Sequence, residues 1–597
     1  MANSSNVSVK SEQTLFRGRL KALSLPVLAL FFILLPACMY GAVSLFYYCK
    51  TGNMPLPMPQ WNDEAAYYEL IKTWLGTGAA KGYWGFSGGH AILGTGGAWS
   101  PAILFPYALW GMMFGWNYSS VAVANVVFLC IVNALVLLIL KPDRAGIFRL
   151  LLLEVLSSHL WLYMNTIMSE VLRYGLGILL AAMLLTLLFE EEKNISKLFA
   201  YVIVPIYILL TIQIYIFFAF AIPVYVFAIM KHKKWWKKVV VSFFSMAVMA
   251  GGSYYLLHLI SSNYNIYKTE MLLETLQKKD VLGAIRTFLW MFKVGVLDLW
   301  NCFRSMTGHG MFHWFVAFLG IMVMIPLGYL LWSWLQNVRS RGEDLLQKSG
   351  LRENTDSVQK SDWKKNVGLS FWTKDRRICL TVAYSVAIFV FMYITVYSLE
   401  AFTFYRGLGI VVLFSLVFAT QMTDRRWYIA CLICYAIGML YVPKNMSDFN
   451  IERYVTTETR KEWDALAEKL ENAMVLTVED GTDSVAGKAT EESTGLKDGN
   501  TLEKLRWENT AVLYTMEPKL ICSIPAGFGV NFAMYSDEIV TEAGYLVFSL
   551  EEDENLRGDW LEQSHESIYL QNQELLDNEY FIQYVDEDYV IYKKSLP

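Results

Sequence analysis

Long apolar stretches separated by short polar breaks dominate the first three-quarters of the chain. Runs at 25–48, 118–140, 147–165, 171–189, 239–260, 311–336 and 378–398 are each close to 20 residues or longer. About 20 apolar residues are needed to cross the hydrocarbon core as a helix, because each residue rises only ~1.5 Å. Shorter runs at 407–422 and 427–443 extend the series. The run 198–230 is too long for one span, and Lys193 and Lys197 flank one end while Lys231, Lys233, Lys234, Lys237 and Lys238 flank the other. Basic residues prefer the cytoplasmic side, so both ends belong inside. The pattern therefore predicts two short helices turning near Gln213 at the outer face. Beyond 443 the pattern changes to short runs with turn residues between them. It predicts a helix over 458–472, strands over 510–515, 520–524 and 545–550, and a closing hairpin over 580–585 and 589–592.

With the hairpin included, eleven spans place nearly every basic cluster inside. Lys10, Arg17, Arg19 and Lys21, the 141–144 turn, the 231–238 loop, the 339–377 loop and Arg425/Arg426 all fall on that side. The N-terminus is then cytoplasmic, and the loops 49–117 and 261–310, the turn 399–406 and everything after 443 lie outside. The first run is too long for a signal peptide's apolar region, and Pro55, Pro57 and Pro59 follow it in place of a small-residue cleavage site. It reads as a retained anchor. The expected fold class is mainly α, a multi-pass domain over 25–443 behind a tail at 1–24, with a small α/β domain over 444–597.

Composition and charge sharpen that division. Of the 597 residues 55% are hydrophobic and 17% charged, against roughly 25% charged in soluble domains. The net charge of −4 is an average over two unlike bodies. Residues 444–597 carry 13 Lys and Arg against 32 Asp and Glu, a net of −19, whereas residues 1–443 carry 37 against 22, a net of +15. A soluble enzyme and a disordered chain are both excluded. The eight cysteines are scattered, and Cys431 and Cys434 lie within an apolar run with no His nearby, a packing pair and not a zinc site. No Walker loop, dinucleotide-binding glycine motif or HExxH motif is present.

Candidate chemistry concentrates in the first outer loop, Trp61-Asn62-Asp63-Glu64-Ala65-Ala66-Tyr67-Tyr68. Two adjacent carboxylates opening a helix can cap it, supply a general base, or bind a divalent cation together with phosphate oxygens. Then follow Gly82-Tyr83-Trp84-Gly85-Phe86-Ser87-Gly88-Gly89-His90 and Gly94-Thr95-Gly96-Gly97-Ala98-Trp99-Ser100-Pro101. Exposed aromatic faces among glycines suit sugar stacking; they equally suit an interfacial aromatic belt. Glu170 and Arg173 stand one helical turn apart at another outer helix start. They form either an intrahelical ion pair or part of a cavity lining, since ionisable residues at membrane level are usually functional. Lys293, Asp298 and Arg304 lie in an amphipathic, Trp-bearing stretch that reads as a surface-lying helix.

The order of these elements resembles the GT-C superfamily of membrane glycosyltransferases, most closely the protein O-mannosyltransferase and aminoarabinose transferase type. The resemblance rests on the long first helix, the Asp63-Glu64 loop followed by Tyr, and the Pro-led aromatic segment from Pro101. It continues through Ser169-Glu170-Val171-Leu172-Arg173, the short helices around Gln213, and Phe404-Tyr405-Arg406-Gly407. It covers most of 25–443. The family usually has a His-Pro or Pro-Pro pair where this chain has Ser100-Pro101, a Lys or Arg where it has Gln213, and the order Arg-Tyr where it has Tyr405-Arg406.

That resemblance implies a transferase moving sugar from a polyprenyl-phosphate carrier to an extracytoplasmic acceptor at the plasma membrane. Asp63 is then the expected base, with Glu64 orienting it or assisting a divalent cation such as Mg or Mn. Arg406, Tyr405 and Arg173 are expected at the donor phosphate, and Glu170, His90, Trp84, Trp99 and Gln213 in the cavity. The expected partners are the lipid-linked donor, an acceptor lipid, glycan or protein, and membrane lipids, with no nucleic acid. A transporter of lipid-linked saccharides is the rival reading; it predicts paired charges deep in helices and internal repeats, and neither is evident. A non-enzymatic envelope assembly protein explains the topology but not the Asp63-Glu64 loop. The acidic domain shows no catalytic constellation and is expected to take part in acceptor recognition.

Overall fold

The computed structural model describes residues 24–52, 56–60, 62–77, 100–190, 194–260, 269–308, 325–349, 373–396, 401–439, 454–455, 457–474, 510–515, 517–526, 528–532, 543–550 and 565–595. Helix α1 (Leu25–Thr51) starts on Pro26 and ends where Gly52 turns left-handed at φ 74°. A two-residue strand, β1 (Leu56–Pro57), leads into α2 (Asn62–Thr77), the helix of the Asp63-Glu64 loop. Ser100 caps α3 (Pro101–Phe114) through the Ala102 N–H. The chain then enters the bundle through α4 (Ser120–Leu140), α5 (Arg144–Val155), α6 (Ser158–Tyr163) and α7 (Glu170–Phe189).

The expected continuous span 147–165 is instead divided between α5 and α6. The Ser157 hydroxyl accepts the Leu160 N–H at 3.2 Å and starts a new helix, so the twelve residues of α5 reach only ~18 Å. The expected hairpin over 198–230 is present. A π turn at Phe199–Ile203 opens α8 (Val204–Ile214), the backbone extends at Tyr215 (φ −157°, ψ 111°), and a 3₁₀ turn at Ile216–Phe220 leads into α9 (Ala221–Ile229). Tyr225 donates to the Ala200 carbonyl at 3.0 Å, which brings the end of the second arm back to the start of the first. The hinge lies two residues past Gln213.

The remaining helices are α10 (Trp235–Ile260), α11 (Thr269–Gln277), α12 (Val281–Gly308), α13 (Ile325–Ser349), α14 (Lys374–Val396), α15 (Ala401–Thr420) and α16 (Arg425–Met439). Four helices among the described residues, α1, α4, α7 and most of α14, are long and apolar enough to cross a membrane, and several shorter apolar helices accompany them. Helix α12 presents Leu289, Trp290, Val296, Leu297 and Trp300 outward and is seated against the end of α14, where a Cβ on Gly295 would run into the Ile394 carbonyl oxygen. Only glycine permits that approach.

Helix α7 is the axis of the bundle, buried along nearly its whole length between α4 and α15. Small residues allow the crossing, as in membrane helix pairs generally: a Cβ on Gly177 would stand 3.3 Å from the Ile410 carbonyl oxygen, and one on Gly409 2.5 Å from Tyr174 Cε1. The two ends of α7 are chemically distinct. At its Phe189 end Lys374 and Arg377 lie over the Phe189 ring, and Lys231 donates to the Glu190 carbonyl. On the same side Arg149 donates to the carbonyls of Thr420 and Met422, at the end of α15 and just past it. At the opposite end, ~30 Å away along its 20 residues, stand Glu170, Arg173 and the start of α15.

The C-terminal residues form a second body. It begins with β2 (Tyr454–Val455), which pairs antiparallel with β1, and α17 (Thr457–Met474). After them come β3 (Thr510–Leu513), α18 (Pro518–Ser523), β4 (Gly529–Phe532), β5 (Tyr545–Ser549), α19 (His565–Glu579), β6 (Tyr580–Val585) and β7 (Tyr589–Lys594). The strand order is β4-β3-β5-β7-β6, with β3 parallel to both neighbours and the β6–β7 hairpin antiparallel. The apolar run 520–524, expected as a strand, is the helix α18; Pro518 sits in its first turn, where its fixed φ favours a helix start.

Helix α2 is the wall between the two bodies. Tyr67, Leu70 and Ile71 join the membrane-domain core. Ala65, Ala66 and Tyr68 join a second core with Trp463, Leu466, Leu520 and Ile521. A Cβ on Gly76 would lie 2.9 Å from Ala526 Cβ, so the two backbones nearly touch.

Candidate active site

Two carboxylates and two guanidiniums from three distant segments meet at the Glu170 end of α7. Asp63 comes from the first turn of α2, Glu170 and Arg173 from the first turn of α7, and Arg406 from the start of α15. Arg406 Nη1 donates to Asp63 Oδ2 at 3.0 Å and lies 3.8 Å from Glu170 Oε1. Arg173 Nη1 stands 3.6 Å from that same Glu170 oxygen. Both contacts to Glu170 are too long for hydrogen bonds, so Glu170 acts on the two guanidiniums as a shared charge. The i, i+3 ion pair and the cavity lining expected for Glu170 and Arg173 are thus one arrangement.

Tyrosines fix the arginines. Arg173 Nη2 donates to the Tyr67 hydroxyl at 2.8 Å, and Ser169 Oγ donates to the same oxygen at 2.8 Å. The Arg173 guanidinium lies 4.8 Å from the centroid of the Tyr215 ring, a cation–π contact. Tyr174 donates to the Arg406 carbonyl at 3.1 Å and so holds the start of α15. Burial pushes the Tyr67 hydroxyl well above the usual tyrosine range despite the opposing pull of Arg173; it remains a phenol at neutral pH. Glu170 Oε2 and Arg173 Nε are buried with no hydrogen-bond partner among the described residues.

The two members of the Asp63-Glu64 pair face different ways. Glu64 is fully buried, and its oxygens accept the N–H groups of Gln60 at 2.8 Å and Ile167 at 3.0 Å. It closes the first turn of α2 in the manner of a capping box and ties that turn to the segment presenting Ser169 and Glu170. Asn125 holds the same segment from below: its amide donates to the Met168 carbonyl at 2.8 Å while its oxygen accepts the Tyr107 hydroxyl at 2.6 Å. Asp63, in contrast, has 29% of its side chain exposed.

Of the expected site residues, Asp63, Glu170, Arg173 and Arg406 converge, while the adjacent Glu64 faces away onto the backbone of Gln60 and Ile167. Gln213 is half-buried at the end of α8, two residues before the tyrosine that covers Arg173. Tyr405 lies in the backbone of α15, but its side chain is outside the described residues, as are Trp84, His90 and Trp99 entirely. Tyr67, Ser169, Tyr174 and Tyr215 were not anticipated. Tyr67 was legible to the extent that it lies one helical turn from Asp63; a lone Tyr215 in an apolar run carries no distinguishing feature.

The fit of the described residues to a divalent cation is poor. Among the described residues no group of three or more His, Cys, Asp or Glu could hold a metal ion, and the charge facing Asp63 is a guanidinium.

No protein-family model matches the chain, and no curated protein matches it. Among solved structures it is similar to the oligosaccharyltransferase of Archaeoglobus fulgidus in the apo form, with 11% identity, 88% of this chain and 70% of that one covered, and a TM-score of 0.38. It is likewise similar to ArnT from Cupriavidus metallidurans bound to undecaprenyl phosphate, with 9% identity, 93% and 97% covered, and a TM-score of 0.34.

Proposed function

We propose that the chain is a membrane glycosyltransferase that moves a sugar from a polyprenyl-phosphate carrier to an acceptor hydroxyl at the outer face of the plasma membrane. The observation that carries the reading is the convergence of Arg406 and Arg173 on Glu170, with the more exposed Asp63 hydrogen-bonded to Arg406. Two guanidiniums at one helix-bundle end suit a phosphate leaving group, since paired N–H donors match phosphate oxygens. A carboxylate beside them suits proton removal.

In this reading the acceptor hydroxyl loses its proton to Asp63 as its oxygen bonds to the anomeric carbon. The bond from that carbon to the phosphate oxygen breaks, and its electron pair passes to the phosphate, where Arg406 and Arg173 stabilise the charge. Charge supports the sidedness of this reading: Lys231, Lys374, Arg377 and Arg149 gather at the other end of the bundle, and basic residues favour the cytoplasm. The exposed apolar faces of α1 and α12 supply the lipid contact. The acidic domain, packed on α2, stands beside the acceptor's approach.

The test is transfer of labelled sugar from a set of polyprenyl-phosphate sugars by the full-length protein in nanodiscs. Arg406→Ala is expected to lose donor binding, and Asp63→Asn to lose turnover by roughly 10²–10⁴-fold. Wild-type turnover in Asp63→Asn defeats the assignment of the base.

A further inference from the structure

The site holds its own anion where a phosphate would bind. Asp63 Oδ2 occupies Arg406 Nη1 at 3.0 Å, and the two carboxylates balance the two guanidiniums. A phosphate arriving beside all four groups would leave an excess of negative charge in a largely enclosed place, where like charges repel strongly. One carboxylate has to yield. Glu170 is 3% exposed, whereas Asp63 is 29% exposed, so Asp63 alone of the two has water at hand to solvate it once it leaves its partner. Arg173 stays in place throughout, held by the Tyr67 hydroxyl and the Tyr215 ring.

From this geometry we infer that donor phosphate and Asp63 exchange on Arg406: binding of the phosphate releases the carboxylate, and release makes it available to the acceptor. The inference rests on the reading of Arg406 as the donor-phosphate contact. It gives the reaction an order. Before the donor arrives Asp63 is spent on Arg406 and meets an acceptor poorly; afterwards its oxygen turns to the acceptor hydroxyl. Donor binding thereby switches on the base, and the acceptor joins second.

The experiment measures the affinity of the full-length protein in nanodiscs for undecaprenyl phosphate, in wild type, Asp63→Asn, Asp63→Ala and Arg406→Ala. Removing the competing carboxylate is expected to tighten lipid-phosphate binding by about three- to tenfold in both Asp63 variants, although both fail in transfer. Affinity equal to or weaker than wild type in the two Asp63 variants overturns the exchange. Failure of the underlying reading is separately visible: Arg406→Ala then binds undecaprenyl phosphate as wild type does. Steady-state kinetics give a second check. Ordered addition with the donor first is expected, and random-order addition overturns the coupling.

Discussion

Lys72 Nζ donates to the Cys522 carbonyl at 2.9 Å, joining the helix that carries Asp63 to a residue 450 positions further along the chain. The same ammonium donates to the Ile524 carbonyl and pairs with Glu69 Oε2 at 2.6 Å. These bonds sit at the end of α18, on the face of α2 turned away from the bundle. The acidic domain is therefore part of the mount of Asp63, not a body tethered beside it.

Lys72→Met leaves two carbonyls without their donor and Glu69 without its counter-charge. Breaking a buried pair from one side costs on the order of 3 kcal/mol. The expected outcome is faster amide exchange in both α2 and α18, with a fall in transfer rate. Unchanged exchange in α2 would show that the domain does not support the site. By the same logic, removing residues 444–597 is expected to abolish donor hydrolysis along with transfer, because α2 loses one of its two cores.

Glu69 makes that mount sensitive to pH. Burial raises its carboxyl from 4.5 to about 7, and the opposing effects of Lys72 and Thr73 do not cancel the shift. The folded state therefore keeps a proton that the unfolded chain gives up near 4.5. Stability from this group is complete below that value and is lost as pH rises through about 7. The melting temperature of the protein is expected to decline across this window. In Glu69→Gln the decline should flatten, and an unaltered slope in that variant assigns the pH dependence elsewhere.

Tyr67→Phe separates positioning from binding charge. The variant keeps both arginines but withdraws the oxygen that receives Arg173 Nη2 and Ser169 Oγ. A buried donor left unsatisfied costs roughly 1–3 kcal/mol, so donor affinity is expected to fall about tenfold or somewhat more. Turnover at saturating donor should change less than the donor KM. A fall in kcat with KM unmoved would place Tyr67 in the chemical step.

How much of this was legible beforehand depended on what each residue must satisfy locally. Glu170 and Arg173 stand out because charges at the ends of apolar runs are costly and call for partners, Asp63 as one of two adjacent carboxylates, and Arg406 through the family resemblance. Their pairing was hidden, since Asp63 and Arg406 are 343 residues apart and no periodicity reports on such a contact. The hairpin around Gln213 was readable from basic residues at both ends. The break between α5 and α6 was not, because Ser157 sits within an apolar run and its cap is a single hydrogen bond. The run 520–524 is ambiguous for a related reason: its apolar residues suit a buried strand or a buried helix, and Pro518 decides between them. Tyr67 and Tyr215 are two of 35 tyrosines, and only the folded neighbourhood distinguishes them.

The adjacent carboxylates of the first loop should separate cleanly in mutants. Glu64 is fully enclosed and accepts two backbone N–H groups, one of them from Ile167 in the segment that presents Glu170. Glu64→Ala strands those donors in a buried place, at about 1–3 kcal/mol each, and loosens the spacing between α2 and α7. A clear drop in melting temperature is expected, and any loss of activity should follow the loss of folded protein. Asp63 is partly exposed and bonded to a side chain that has a second carboxylate within 3.8 Å. Asp63→Asn keeps the size of the side chain and an oxygen for Arg406, so its melting temperature should stay near wild type while transfer collapses. Measuring both quantities on both variants decides the roles: equal melting temperatures with equal losses of rate would put Glu64 into the chemistry, and a destabilised Asp63→Asn would make the ion pair structural.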